Sequence, residues 1–118
     1  MRTSERKLST SLKTQIIKTL TQVVADLKNT TEADIFINDF LTEAEVETFA
    51  KRLAVAYWLK KGRSYTNIKT NLKVSSATIA DVSSQMDKKG IKLALQKTEA
   101  EEWANEWAQK IKKFVSKK

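Results

Sequence analysis

The stretch from Ser64 to Met86 constrains the fold of this chain more than any other part of the sequence. Ser64 can cap a helix, because its hydroxyl can accept a hydrogen bond from a free backbone N–H in the first turn. Ile68 and Leu72 follow at a spacing that places both side chains on one face of that helix. Val74 comes directly after this helix, and we expect it to lie in a tight turn.

A second helix is predicted to begin after Ser75, which is another candidate cap. Its apolar residues recur at helical intervals and therefore share one buried face: Ile79, Val82 and Met86. The opposite face carries small side chains: Ser76, Ala77, Ala80 and Ser84. A helix with such a flat face can enter the major groove of DNA, because no bulky side chain holds it away from the base edges. The stretch is typical of a helix-turn-helix.

Two lysines depart from the general helix-turn-helix pattern. Lys69 occupies a position where many such motifs have a small residue. Lys73 lies at the turn, where glycine is favoured because it reaches positive φ without the ~1 kcal/mol that a Cβ brings. An ordinary antiparallel helix pair with a serine-capped turn would explain the same residues, so the pattern alone leaves both interpretations open.

Composition favours helices and removes several kinds of chemistry. The 118 residues include no proline and only two glycines, which suits one domain of helices joined by short turns. There is no cysteine and no histidine, so disulfides, thiolate nucleophiles and the commonest metal ligands and general bases are missing. We therefore expect no enzyme activity, no cofactor and no metal. Without a long apolar run or a hydrophobic signal core, we expect a soluble, cytoplasmic protein with no membrane partner.

The formal net charge of +8 favours a polyanionic partner. The positive charge concentrates at the two ends of the chain and around the motif, whereas residues 29–61 carry more acidic than basic side chains. A lysine-rich composition that serves only solubility would give the same total. Charge alone does not separate these two interpretations.

The first half of the sequence predicts three helices. Apolar residues follow a helical period over about residues 9–28, and Asn29 and Thr30 break the pattern. Thr31 is a candidate cap for a shorter helix that is apolar on more than one face. Such a helix requires burial or a partner chain. Thr42-x-x-Glu45 forms a capping box at the start of a long helix, and Gly62 is its expected stop.

The last third of the sequence is predicted to end the second motif helix at 87–90 and to continue as a connector. Ile91, Leu93 and Leu95 alternate with polar residues there. Thr98-x-x-Glu101 resembles a second capping box, which would open a terminal helix. One apolar stripe follows at helical spacing: Trp103, Trp107, Ile111, Phe114 and Val115.

The order of these pieces resembles the core of the Trp repressor superfamily. The segment that carries the resemblance is residues 41–86, LTEAEVETFAKRLAVAYWLKKGRSYTNIKTNLKVSSATIADVSSQM. It has Leu41–Thr42 before an acidic helix start, Gly62 at the end of a long helix, a cap at Ser64 and an Ala-Thr-Ile sequence at 77–79. Residues 1–28 and 91–118 carry no motif that extends the match.

The resemblance implies an all-helical bundle that forms an intertwined homodimer and binds double-stranded DNA through two helix-turn-helix heads. Within one helical domain over 1–118, residues 1–40 would hold the dimerisation helices, 41–90 the long helix and the motif, and 91–118 a C-terminal helix. Residues carried over by position as DNA contacts are Tyr65, Thr66, Lys69, Ser75, Ser76, Ala77, Thr78 and Ala80. Lys73 in the turn is added as a candidate phosphate contact.

The resemblance extends poorly to the tryptophan pocket of the true repressors. Arg52 matches an arginine that holds the ligand, but Asp81 stands where a second such arginine is found. An acidic side chain would repel a carboxylate ligand, and Arg52 could pair with Asp81 instead. The leading hypothesis is therefore a dimeric transcriptional regulator that acts without tryptophan. The alternative is a helical protein–protein interaction module that keeps the helix-turn-helix as scaffold, since Asp81 and Asp87 offset nearby lysines.

Overall fold

The computed structural model describes residues 7–101, and this part of the chain is helical throughout, without a strand. Five helices have both ends within it: α1 Thr10–Ala25, α2 Thr30–Phe40, α3 Glu43–Lys60, α4 Tyr65–Leu72 and α5 Ser76–Ser83. A sixth, α6, begins at residue 89 and includes residue 101. The all-helical fold class is confirmed for the described residues. Every helix in this part is too short or too polar to cross a lipid bilayer.

The helix starts follow the capping residues in the sequence. The backbone N–H of Thr42 donates to Glu45 Oε1 at 2.8 Å, and the N–H of Glu45 donates back to Thr42 Oγ1 at 3.1 Å. This reciprocal pair is the predicted capping box, and it fixes the first turn of α3. At the other end of α3, Gly62 has φ +83°, a conformation that glycine adopts without strain.

The prediction that Thr31 caps the second helix is wrong. Asn29 is the cap, because its Oδ1 accepts from the N–H of Glu32 at 2.9 Å, and α2 begins at Thr30. Glu32 Oε1 in turn accepts from the N–H of Lys28 at 3.0 Å. The asparagine that was interpreted as breaking the helical pattern therefore starts the next helix.

Three predictions for the last third of the chain are also wrong. The second motif helix ends at Ser83, and the predicted connector over residues 91–95 is part of α6. Thr98 does not open a helix, because it already lies inside α6, where its Oγ1 donates to the carbonyl of Ala94 at 2.8 Å. The apolar stripe from Trp103 to Val115 lies outside the described residues.

The chain forms two compact units, one ending at Glu47 and the other beginning at Thr48. The second unit has a core to which four helices contribute, with fully or almost fully buried side chains from α3 to α6: Val55, Ala56, Tyr57, Ile68, Ile79, Val82 and Leu95. This core fixes α4 and α5 on the end of the long helix.

The first unit has no buried residue among its described positions, 7–47. Large apolar side chains of α1 and α2 are instead 41–63% exposed: Leu12, Ile16, Ile17, Leu20, Val23, Val24, Ile35, Ile37 and Phe40. Phe36 and Phe40 stack with their ring centroids 5.0 Å apart. A single copy of these helices thus leaves a large apolar surface in water.

Candidate nucleic-acid interface

The second unit presents α4 and α5 as a helix pair joined by the short turn Lys73–Ser75. Ile68 of α4 and Ile79 of α5 are fully buried, and Val82 is 1% exposed. Because these side chains are held in the core, the opposite faces of both helices point to solvent. This is the arrangement that a helix-turn-helix requires.

Lys73 adopts a left-handed conformation at the turn, the position where the helix-turn-helix pattern favours glycine. Its φ is 57° and its ψ is 49°, and its N–H donates to the carbonyl of Lys69 at 3.1 Å. Such a conformation strains a residue with a Cβ. A lysine at this position therefore has a strained backbone, and its side chain places a positive charge between the two motif helices.

The start of α5, hereafter the recognition helix, is fixed by a hydroxyl pair. Ser75 Oγ accepts from the N–H of Thr78 at 3.1 Å, and the two hydroxyl oxygens of Ser75 and Thr78 lie 3.0 Å apart. The predicted cap is confirmed. Ser76, Ala77 and Ala80 are exposed, whereas Ile79 is buried.

Each residue predicted to contact DNA is exposed. On α4, Tyr65 is 46% exposed, and Thr66 and Lys69 are also exposed. Lys73 and the predicted positions of α5 continue this accessible surface. The small side chains on α5 could approach base edges. The cations on α4 and in the turn could approach phosphates.

Arg52 does not stand free beside the recognition helix. Its Nη2 donates to Gln85 Oε1 at 2.6 Å, and its Nη1 lies 3.9 Å from Asp81 Oδ2. Gln85 Nε2 donates to Asp81 Oδ1 at 3.2 Å, which joins the three side chains. The suggested pairing of Arg52 with Asp81 is confirmed. Gln85 was missed by sequence reasoning, although its four-residue spacing from Asp81 is a signal that could have found it.

A cavity of about 520 Å³ lies between α3 and the turn of the motif. Its wall includes the basic side chains of Lys51, Arg52 and Lys73, the carboxylate of Asp81, and the apolar side chains of Phe49 and Val82. The Arg52–Asp81 pair therefore occupies one side of the space that a small ligand would use.

Two cation contacts fix the C-terminal end of α3. The guanidinium of Arg63 lies 3.9 Å from the ring centroid of Trp58, and Arg63 Nη1 donates to Asn67 Oδ1 at 3.3 Å, which ties the α3–α4 junction. Lys60 Nζ donates to Glu99 Oε1 of α6, and this hydrogen bond holds the pKa of Glu99 below its ordinary value. Both cations have protein partners beside the predicted interface.

The fold and the exposed recognition helix define a helix-turn-helix protein. The sequence pattern of the Trp repressor protein family matches residues 15–99, and the chain belongs to that family. It is 37% identical over 59 residues to the uncharacterized protein YerC of Bacillus subtilis (strain 168), which covers 50% of this chain. The match spans 57% of that relative's length. No solved structure matches the chain at a significant level.

Family membership confirms the resemblance found in the sequence and extends it beyond residues 41–86 in both directions.

Proposed function

We propose that this protein is a sequence-specific transcriptional regulator that binds double-stranded DNA as a homodimer and does so without tryptophan. The observation that carries the proposal is the division of the recognition helix into two faces. Ile79 and Val82 are buried in the core, and Ser76, Ala77 and Ala80 are exposed. A rigidly supported helix with small outward side chains fits the major groove.

Affinity and sequence preference would come from different residues. Lys69 and Lys73 would bind phosphates, which makes binding depend on salt because each neutralised phosphate releases counterions. Ser76, Ala77 and Ala80 would face base edges, where a hydroxyl can donate or accept and a methyl can contact thymine. Phosphate contacts would set the position of the helix, and these small side chains would select the sequence.

The first unit supports the homodimer. Its described residues include no buried position, yet α1 carries large apolar side chains at nearly half exposure, among them Ile16 at 46% and Leu20 at 45%. Full burial of one such side chain is worth about 1.5–3 kcal/mol, so a second copy that covers these helices would be strongly favoured. Phe49 and Leu53 of α3, 54% and 41% exposed, offer further apolar surface.

Light scattering on the full chain tests the dimer. We expect a mass of two chains for the wild type and a shift toward one chain for Leu20→Glu, because a carboxylate cannot be buried in an apolar interface without a large cost. Gln15→Glu changes charge on an exposed position of the same helix and should leave the mass unchanged. A wild-type mass of one chain at micromolar concentration would contradict the homodimer.

The Arg52 site supports independence from tryptophan. Asp81 places a carboxylate on the wall of the cavity, where it would repel the carboxylate of an amino acid, and Arg52 already donates to Gln85. Titration calorimetry with L-tryptophan should therefore show no saturable heat. Saturable binding in the micromolar range would overturn this part of the proposal.

The second candidate function is a protein–protein interaction module that keeps the helix-turn-helix as scaffold. The exposed apolar side chains of α1 and α2 favour it, because they could bind a different protein as well as a second copy. A gel-shift titration with duplex DNA at low and moderate salt separates the two candidates. The regulator should give a saturable complex that weakens as salt rises, and the scaffold should give none.

A further inference from the structure

We propose that Arg52 and Gln85 are positioning residues that set the orientation of the recognition helix for sequence reading. The inference rests on the proposed DNA-binding function and assigns a role to two side chains that would not touch the DNA. It follows from the hydrogen bonds that join α3, α5 and the turn after α5.

The arrangement connects the middle of the long helix to the far end of the recognition helix. Arg52 lies on α3, Asp81 lies in the last turn of α5, and Gln85 lies in the turn that follows. The guanidinium donates to Gln85 at 2.6 Å and pairs with Asp81 at 3.9 Å, and Gln85 donates to Asp81 at 3.2 Å. Each of the three side chains therefore contacts both of the others.

The apolar contacts of the recognition helix hold it on the core, but they restrain its rotation less than directional contacts do. Ile79 and Val82 hold it against the core, but burial of apolar surface is nondirectional and tolerates small rotations of a short helix. Hydrogen bonds weaken steeply when their angles change, and those to a charged group are the strongest. The Arg52 contacts therefore fix the rotation of α5, which decides where Ser76 and Ala80 point.

The solvent exposure of Arg52 and Asp81 decides whether loss of their contacts should change folding stability or DNA sequence preference. The side chains of Arg52 and Asp81 are 44% and 58% exposed, and exposed ion pairs contribute little to folding stability. Reading of base edges, by contrast, depends on side chains being held within about 0.5 Å and 10–20° of the productive geometry. Loss of the contacts should therefore reduce sequence preference more than it reduces folding.

The salt dependence of binding distinguishes a positioning residue from a phosphate contact. Both terminal guanidinium nitrogens of Arg52, Nη1 and Nη2, face protein acceptors, so its removal should leave the number of neutralised phosphates unchanged. Removal of a lysine that binds one phosphate should instead lower the salt slope by about one unit. Lys69→Ala provides this comparison within the same protein.

The test uses the full-length protein and two duplexes, a site selected by the wild type from a random library and a duplex of random sequence. Arg52→Met keeps the stem of the side chain without its donors, and Gln85→Met removes the acceptor at similar size. Each should weaken binding to the selected site by about three- to tenfold, change binding to the random duplex by less than twofold, and preserve the salt slope. Gln96→Met, on α6 outside this arrangement, should match the wild type.

The double variant sharpens the test. If the two residues act through one hydrogen bond, Arg52→Met combined with Gln85→Met should lose no more affinity than either single variant. Circular dichroism checks that each variant is folded. If Arg52→Met is unfolded, the binding data for Gln85→Met test the proposal. Equal losses on both duplexes, a lowered salt slope or wild-type preference in both variants would overturn the positioning role. A wild type that binds neither duplex would instead contradict the proposed function itself.

Discussion

The hydroxyl oxygens of Ser75 and Thr78 lie 3.0 Å apart at the first turn of the recognition helix, and Ser75 Oγ also accepts from the N–H of Thr78. One of the two hydroxyls therefore donates to the other within the protein. Ser76, Ala77 and Ala80 remain as the exposed side chains that are free of this cap. Ser75 therefore fixes the first turn of the recognition helix, and the residue after it, Ser76, is exposed.

Replacement of Ser75 by alanine should lower the free energy of unfolding by about 1 kcal/mol, because the N–H of Thr78 loses its acceptor. Ser76→Ala should change it by less than about 0.5 kcal/mol, since the hydroxyl of an exposed first-turn residue does not cap the helix. Urea unfolding monitored by circular dichroism measures both. Equal stability of Ser75→Ala and the wild type would show that the cap is energetically unimportant.

Two substitutions of Lys73 distinguish the effect of backbone strain on stability from the effect of its charge on DNA binding. Lys73→Gly relieves a left-handed conformation at φ 57° and should stabilise the protein by about 1 kcal/mol relative to Lys73→Ala, which keeps the Cβ. Both variants lose the same positive charge, so they should bind DNA with the same reduced salt dependence. Denaturant unfolding and binding titrations on the pair check both points, and a less stable glycine variant would argue against strain at this turn.

Lys69 is the cation for which a phosphate contact is most directly testable. Lys69→Ala should weaken binding to all duplexes alike and flatten the plot of log affinity against log salt by about one unit. The reason is that an exposed lysine on α4 would neutralise one phosphate without reading a base. An unchanged slope would assign Lys69 a different role. Lys13→Ala, an exposed lysine on α1, is the matched control.

Local hydrogen-bonding residues made much of the fold predictable from sequence. Three helices begin where the sequence predicts their caps. The caps are Thr42 with Glu45 for α3, Ser64 for α4 and Ser75 for α5. These caps act within one turn, so their signal is contained in a few neighbouring letters. The motif marks the turn at Lys73 as a place where glycine is favoured, and the structure shows the lysine there at positive φ.

The errors arose where a local pattern had two physical interpretations. Asn29 was interpreted as a helix breaker, although asparagine is also a strong cap. The alternation of Ile91, Leu93 and Leu95 suggested an extended connector, yet the structure buries Leu95 to 3% exposure and leaves Leu93 55% exposed. Ile91 and Leu95 are four residues apart, so a helix places them on one face. The four-residue spacing of Gln85 from Asp81 is a local signal, but the contact of Gln85 with Arg52 joins residues 33 apart in sequence, and no local rule gives it.

Glu45 should make folding stability sensitive to acid. The N–H of Thr42, and after it the Thr42 hydroxyl, hold the pKa of Glu45 below its ordinary value. A lowered carboxyl pKa contributes stability that is present above the ordinary glutamate pKa and is lost as pH falls through the folded-state pKa. Glu45→Gln can keep the capping hydrogen bond without titrating, so its stability should fall less between neutral and acidic pH. An NMR titration of Glu45 with a midpoint at or above that of a free glutamate would contradict the assignment.

Selection of binding sites from a random duplex library by the purified full-length protein tests the central claim most directly. We predict enrichment of a two-fold symmetric sequence whose half-sites lie about 10–10.5 base pairs apart, because two recognition helices would read successive major grooves on one side of the duplex. Ser76 and Ala80 variants should alter the enriched bases. Recovery of no enriched sequence, with no saturable complex even at low salt, would contradict the account.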